Sequence, residues 1–237
     1  PNNPADKVRE LQRRLYVTAK RSRKRRFHAL YDRICRGDVL AEAWKRVKTN
    51  RGAAGIDGES LSMIEQGGVE DFLLDVQRRL QTGRYWPQPV RRQYIPKLDG
   101  TKRPLGIPTV RDRVVQQATK LVIEPIFEAD FKESSYGFRP KKNATQALEA
   151  IRLTGGRGHR YVVEIDIEKF FDRLDHRKLR EFLDQRVRDG VLRRALDKWL
   201  KAGVLEEERL SRPREGTPQG GVISPLLANV YLHEVLD

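Results

Sequence analysis

Asp166 stands at the end of an apolar, alternating segment, a position where a carboxylate needs a reason. From Tyr161 to Ile167 the residues fall on two faces: Tyr161, Val163, Ile165 and Ile167 on one, Val162, Glu164 and Asp166 on the other. Aspartate is costly in a strand unless it is solvated, paired or holding a cation, so Asp166 is a candidate site residue, with an ordinary strand-end residue as the alternative. Asp172 and Asp175 follow, and Asp175 reads as a helix cap rather than a ligand. Phe170 and Phe171, between strand and helix, read either as core rings or as a wall against a bound sugar.

Three other segments carry matching chemistry. Gly216-Thr217-Pro218-Gln219-Gly220-Gly221 sets three glycines around one amide side chain, which allows a backbone to approach a ligand closely. Val90 to Pro108 reads as a hairpin around Asp99-Gly100; a two-residue turn there would set Lys97 against Lys102, with Arg103 one step on. Like charges facing each other weaken a free hairpin, so a gripped anion such as phosphate explains the pattern better than structure alone. Tyr136-Gly137-Phe138-Arg139-Pro140 suits stacking on bases or pairing with phosphate, with Tyr136 and Arg139 as the contacts and burial of the aromatics as the equal alternative.

The charge balance names the class of partner. Lys and Arg number 48 against 33 Asp and Glu, a formal charge of +15, and such an excess favours polyanions by releasing their counterions. The cations cluster in Lys20-Arg21-Ser22-Arg23-Lys24-Arg25-Arg26, which reads either as a phosphate-binding run or as a solvated helix face. Cys35 is the single cysteine, which excludes an internal disulfide and a Cys-rich zinc site. His28, His159, His176 and His233 lack metal-ligand spacing and read as polar or capping residues. No apolar stretch approaches the roughly 20 residues of a membrane span, and no signal-peptide pattern opens the chain, so an intracellular, cytoplasmic protein is expected.

The elements that must position these residues are mostly helices. Apolar stripes run through Val8, Leu11 and Leu15; Phe27, Leu30, Tyr31 and Ile34; Leu40, Ala43, Trp44 and Val47; and Phe72, Val76 and Leu80, with a glycine-rich loop from Asn50 to Gly58. Val115, Ala118 and Val122 mark a helix from Asp112 to Phe131 that Pro125 should kink or end. Later helices carry Ala144 to Ile151 capped by Asn143, Leu179 to Val187, and Val191 to Leu200 stopped by Gly203. A last helix starts at Ser224-Pro225, with Ser224 as its cap.

In order along the chain, these segments resemble the motif blocks of reverse transcriptases, particularly those encoded by group II introns. The blocks are Tyr94-Ile95-Pro96-Lys97 with Lys102-Arg103-Pro104-Leu105-Gly106-Ile107-Pro108; Ser135 to Pro140; Val163 to Asp172; and Gly216 to Pro225. Gly52 to Leu61 is similar to the N-terminal block that the intron enzymes carry before the fingers. The resemblance implies an α+β right-hand polymerase, helix-rich with a small antiparallel sheet: residues 1–66 a basic helical extension with the N-terminal block, 67–157 fingers, 158–237 part of the palm.

It also implies roles. Asp166 and the Ile167 carbonyl would ligate Mg²⁺, Lys97 and Arg103 would hold the triphosphate, Gln219 and Gly220 would line the nucleotide pocket, and Phe171, in preference to Phe170, would crowd the sugar 2′ position. Partners would be RNA as template or intron, a DNA primer and dNTPs, with no membrane and with room for a homodimer. The other two catalytic aspartates of the family lie in a Tyr-x-Asp-Asp hairpin after the last helix, so the 237 residues alone are expected to bind RNA without polymerising. Alternatives are an RNA-binding maturase cofactor for splicing, or a reverse transcriptase of the diversity-generating or CRISPR-associated kind.

Overall fold

The computed structural model describes residues 3–97, 100–159, 161–207, 209–211, 215–217 and 220–237. The first helix, α1 (Pro4–Arg21), has the end chemistry helices favour: Asn3 accepts from the Ala5 amide at 3.1 Å, Pro4 opens the first turn, Asp6 follows, and Lys20 and Arg21 close the last. Its Val8, Leu11, Leu15 and Ala19 are buried together. Next come α2 (Tyr31–Ile34), α3 (Gly37–Thr49), α4 (Leu61–Gly67) and α5 (Val69–Gln81); the expected stripes of α3 and α5 are buried, as are Leu30 and Ile34, with Tyr31 half-buried. Phe27 differs: it lies in an extended bridge to Val187, outside any helix.

Strands β1 (Val90–Pro96) and β2 (Lys102–Ile107) precede α6 (Val110–Glu128), the central helix, against which α1 and α3 pack. Pro125 neither ends nor interrupts the assignment of α6, contrary to the sequence expectation. A proline at 125 cannot donate to the Leu121 carbonyl one turn earlier. The Gln12 side-chain amide of α1 donates to that carbonyl instead, at 3.0 Å, so the acceptor freed by the proline stays satisfied inside the core.

After α6 come α7 (Ala144–Gly156), a short 3-10 turn Phe170–Asp172, α8 (His176–Asp184), α9 (Gly190–Leu200), β3 (Val204–Glu206), β4 (Arg209–Ser211) and α10 (Ser224–Leu236). The sheet order is β2-β1-β3-β4, and β1 runs parallel to β3, so the small sheet is mixed rather than wholly antiparallel. One apolar core continues from α1 through α6 to α10. Among the described residues no helix is long and apolar enough to cross a membrane.

Two expectations need correction. Residues 161–167 form no strand: Tyr161 is 96% exposed, Val163 83% and Ile165 76%. A strand exists by pairing, and among the described residues none pairs with this segment. The helix before it, α7, forms with the predicted Asn143 cap as a full capping box, yet buries no residue. Ser224 is the first residue of α10 rather than its cap, and its hydroxyl meets that of Thr217 at 2.9 Å.

Candidate functional site

The hairpin sets the geometry of its cations by its register. Lys97 donates its amide to Thr101 at 2.8 Å, Pro96 pairs with Lys102, and Ile95 pairs with Arg103. The connection is therefore three residues, 98–100, closed by Gly100 at φ +78° with its amide on Lys97 at 3.2 Å. Leu98 and Asp99 lie outside the described residues. The expected opposition of Lys97 and Lys102 is overturned: the pleat carries Lys97 and Arg103 on one face, as diagonal neighbours about 7–8 Å apart by ordinary sheet spacing, and Lys102 on the other. Among the described residues neither Lys97 nor Arg103 has a carboxylate partner, and both are exposed.

The hairpin is held at its base. Tyr94 donates to Glu206 of β3, and Arg91 and Arg113 donate to the Ala54 and Ala53 carbonyls at 2.8 and 2.7 Å, docking the 52–58 loop. Gly55 has no room for a side chain, since a Cβ would lie 2.6 Å from Thr109 Cα. Below, Asp112 accepts from the Tyr85 hydroxyl at 2.6 Å and the Thr109 hydroxyl at 2.8 Å, and Trp199 donates to Tyr85 at 2.8 Å. Burial pushes the Asp112 carboxyl up from its ordinary range, while these donors and the Gln88 amide oppose the shift.

The glycine turn closes against both the hairpin and the Phe170–Asp172 turn. Gly220, at φ +111°, would place a Cβ 2.6 Å from the Gly106 carbonyl of β2. Gly216, at φ +86°, would place one 2.6 Å from the Asp172 carbonyl. Their backbones are tied down: Gly216 donates to Leu174 at 2.8 Å, Thr217 to Phe171 at 2.7 Å, and buried His176 donates from Nε2 to the Gly216 carbonyl at 2.5 Å. Gln219 lies outside the described residues.

Of the two rings, Phe170 packs against the core and meets Tyr231 at 6.0 Å, while Phe171 meets Phe170 at 5.6 Å and no other ring among the described residues. Asp166 and Ile167 lie on the exposed segment four and three residues before this pair. Among the described residues no three His, Cys, Asp or Glu side chains gather to hold a metal. A carboxylate and a carbonyl suit Mg²⁺ as donors, but they form only part of a ligand set, and nothing here brings others to them.

The basic run begins in the last turn of α1 with Lys20 and Arg21 and continues from Ser22 to Arg26 as a turn rather than a helix face. Arg186, 3% exposed, donates to the carbonyls of Ala19, Ser22, Arg23 and Arg25 and pairs with Asp130. Arg23, Lys24, Arg25 and Arg26 line an open groove of about 910 Å³ with His28 and Gln185. Lys20 donates to the Ala129 carbonyl at 3.0 Å, and Arg21 is exposed at the end of α1. Arg139 is a correction: it is buried, paired with Glu128, and donates to the Lys132 and Ser135 carbonyls, so its charge is used inside the protein. Tyr136 is half-buried, with Lys142 over its ring at 4.9 Å.

The residues that sequence reasoning missed, Arg186, His176 and Gln12, act on main-chain carbonyls distant in sequence. No local pattern marks such a role.

With this geometry in place, residues 95–237 match the family described as reverse transcriptase (RNA-dependent DNA polymerase). The chain belongs to the reverse transcriptase family. It is 40% identical over 212 residues to the group II intron-encoded protein LtrA of Lactococcus lactis subsp. cremoris, covering 88% of this chain and 35% of LtrA. It is 39% identical over 233 residues to protein YkfC of Escherichia coli K12, covering 96% of this chain and 61% of YkfC. A chain of the solved partial Cas6-RT-Cas1–Cas2 complex shares the fold, with TM-score 0.59 at 24% identity over 86% of this chain and 34% of that one. This reverse transcriptase-family chain thus spans about a third of LtrA and less than two thirds of YkfC.

Proposed function

We propose that the full-length protein is an RNA-directed DNA polymerase of the group II intron type, and that this chain supplies its nucleotide-binding half. The observation that carries the reading is the convergence on the glycine turn, where Gly220 meets Gly106 of the hairpin and Thr217 meets Phe171. A nucleotide seated there has cations for its phosphates at Lys97 and Arg103, whose charge-assisted contacts orient the triphosphate. Phe171, rather than the core-packed Phe170, is the ring available to stand against the sugar and refuse a 2′-hydroxyl. Gly220 borders the base side, and the resemblance gives Gln219 the neighbouring role in the nucleotide pocket.

Asp166 and the Ile167 carbonyl are the share of the Mg²⁺ ligands this chain would contribute, the rest belonging to the Tyr-x-Asp-Asp hairpin that the resemblance puts after α10. A second reading, RNA binding in support of intron splicing, is favoured by the basic turn and its groove. The two readings are compatible in one protein.

The test is primer extension on an RNA template by the full-length protein. Asp166→Asn should lower the rate on the order of 10³-fold, the several kcal/mol of charge stabilisation a metal ligand supplies, with RNA affinity unchanged. Extension within a few fold of wild type would remove Asp166 from the site and with it the proposed chemistry.

A further inference from the structure

We propose that Arg186 is a positioning residue for nucleic acid: it fixes the main chain of the 22–26 turn so that Arg23, Lys24, Arg25 and Arg26 form a preset array for the phosphates of folded RNA. The inference rests on the reading that the basic turn binds RNA, and adds how the turn does so and which RNA it favours.

Four adjacent cations repel one another, and a free turn carrying them would spread over many conformations. Here the turn is held from below. Arg186 Nη1 donates to the carbonyls of Ser22, Arg23 and Arg25 at 2.8, 2.7 and 3.1 Å, and Nη2 to that of Ala19 at 2.9 Å. Asp130 stands 2.8 Å from Nε as its counter-charge. The exit is fixed too, because Phe27 donates to the Arg186 carbonyl and Arg188 donates to that of Phe27, both at 2.8 Å.

Arg186 sits on the carbonyls that follow the C-terminal end of α1, where a cation is favoured, and Asp130 balances its charge beneath the four exposed cations. The guanidinium spreads its contacts over three nitrogens, reaching four carbonyls and Asp130 from one planar group, a spread that the single nitrogen of a lysine cannot match. Among the described residues the four side chains above it form no salt bridge, Arg23 alone sharing the field of Asp130, and they line the groove with His28 and Gln185. A fixed array gains most from a ligand whose phosphates are also fixed, since neither side then loses freedom on binding. An A-form duplex has such phosphates, whereas a single strand adapts to any array and gains little from a preset one.

The experiment compares Arg186→Lys with the wild-type chain, binding an RNA hairpin and an unstructured RNA of equal length across a salt titration, with trypsin cleavage within residues 22–26 of the native protein followed in parallel. Arg186→Lys should expose the turn to trypsin and weaken hairpin binding about tenfold, with single-strand binding changed less than about twofold and the salt slope preserved. Asp130→Asn, which loosens Arg186 without removing it, should move the same readouts in the same direction by less. Ile34→Val, a core change of about 1 kcal/mol, should move neither, which separates positioning from loss of stability. Arg23→Gln with Arg25→Gln should weaken both RNAs and flatten the slope. If that double variant changes nothing, the RNA-binding reading itself fails. If it weakens both RNAs while the Arg186 and Asp130 variants keep the hairpin preference, or lose it only as Ile34→Val does, positioning by Arg186 is overturned.

Discussion

Gly216 and Gly220 leave no room for a methyl group, whereas Ile165 is 76% exposed. Both segments belong to the proposed nucleotide site, and the sequence marks them with equal clarity, one by glycine spacing and the other by strict alternation. Their difference lies in what each pattern encodes. A glycine whose Cβ would clash with backbone records a contact made at close range, and the partners of this turn, Gly106 and Asp172, lie within the chain. Alternation records only that a segment has two faces, and leaves open what either face meets.

The largest stability effect belongs to the packed side of that comparison. Gly220→Ala adds a Cβ 2.6 Å from a backbone oxygen at φ +111°, and should cost about 2–3 kcal/mol in urea denaturation. Gly58→Ala provides the contrast, since its φ is +71° with no heavy atom within 4 Å of the added Cβ; there about 1 kcal/mol is expected from backbone strain alone. Equal costs at the two positions would mean that close approach to β2 does not fix the turn.

The same distinction explains how much of the molecule was legible. Asn143 and Asp175 cap their helices as read, because a cap acts within three residues of itself. The hairpin was visible but its register was not: reading Asp99-Gly100 as the whole turn misplaces Arg103 by one residue and so by one face, which decides whether it joins Lys97. Arg139 stood in a loop with the composition of a base-stacking surface, yet Glu128, eleven residues away, takes its charge inward. Arg186 looked like one arginine among many, and only the fold brings it beneath the Ser22 carbonyl, 164 residues distant.

Gln12 tests a packed contact of the long-range kind. Gln12→Ala leaves the Leu121 carbonyl without its donor, and should cost about 1–2 kcal/mol, the usual penalty for an unsatisfied buried acceptor. Pro125→Ala restores a backbone N–H facing that carbonyl. In this background the loss of Gln12 should therefore cost less, and the coupling between the two changes measures the substitution of a side-chain amide for a helix bond. Additive costs would show that Gln12 stabilises α1 against α6 by some other contact.

The smallest effect is expected at Ile165, and it bears most directly on the exposed side. Placing lysine where a side chain already meets solvent should change the stability of this chain by less than about 0.5 kcal/mol. In the full-length protein, where the proposed catalytic hairpin would pair with residues 161–167 and the apolar face would be covered, the same Ile165→Lys should cost about 2 kcal/mol or more. A cost that rises with the added sequence would mean that the alternation of Tyr161, Val163 and Ile165 was selected for a partner outside these 237 residues. A cost that stays near zero in both would leave Asp166 on a segment the fold never positions, and the contrast with the glycine turn would then mark the limit of the active site rather than an unfinished half of it.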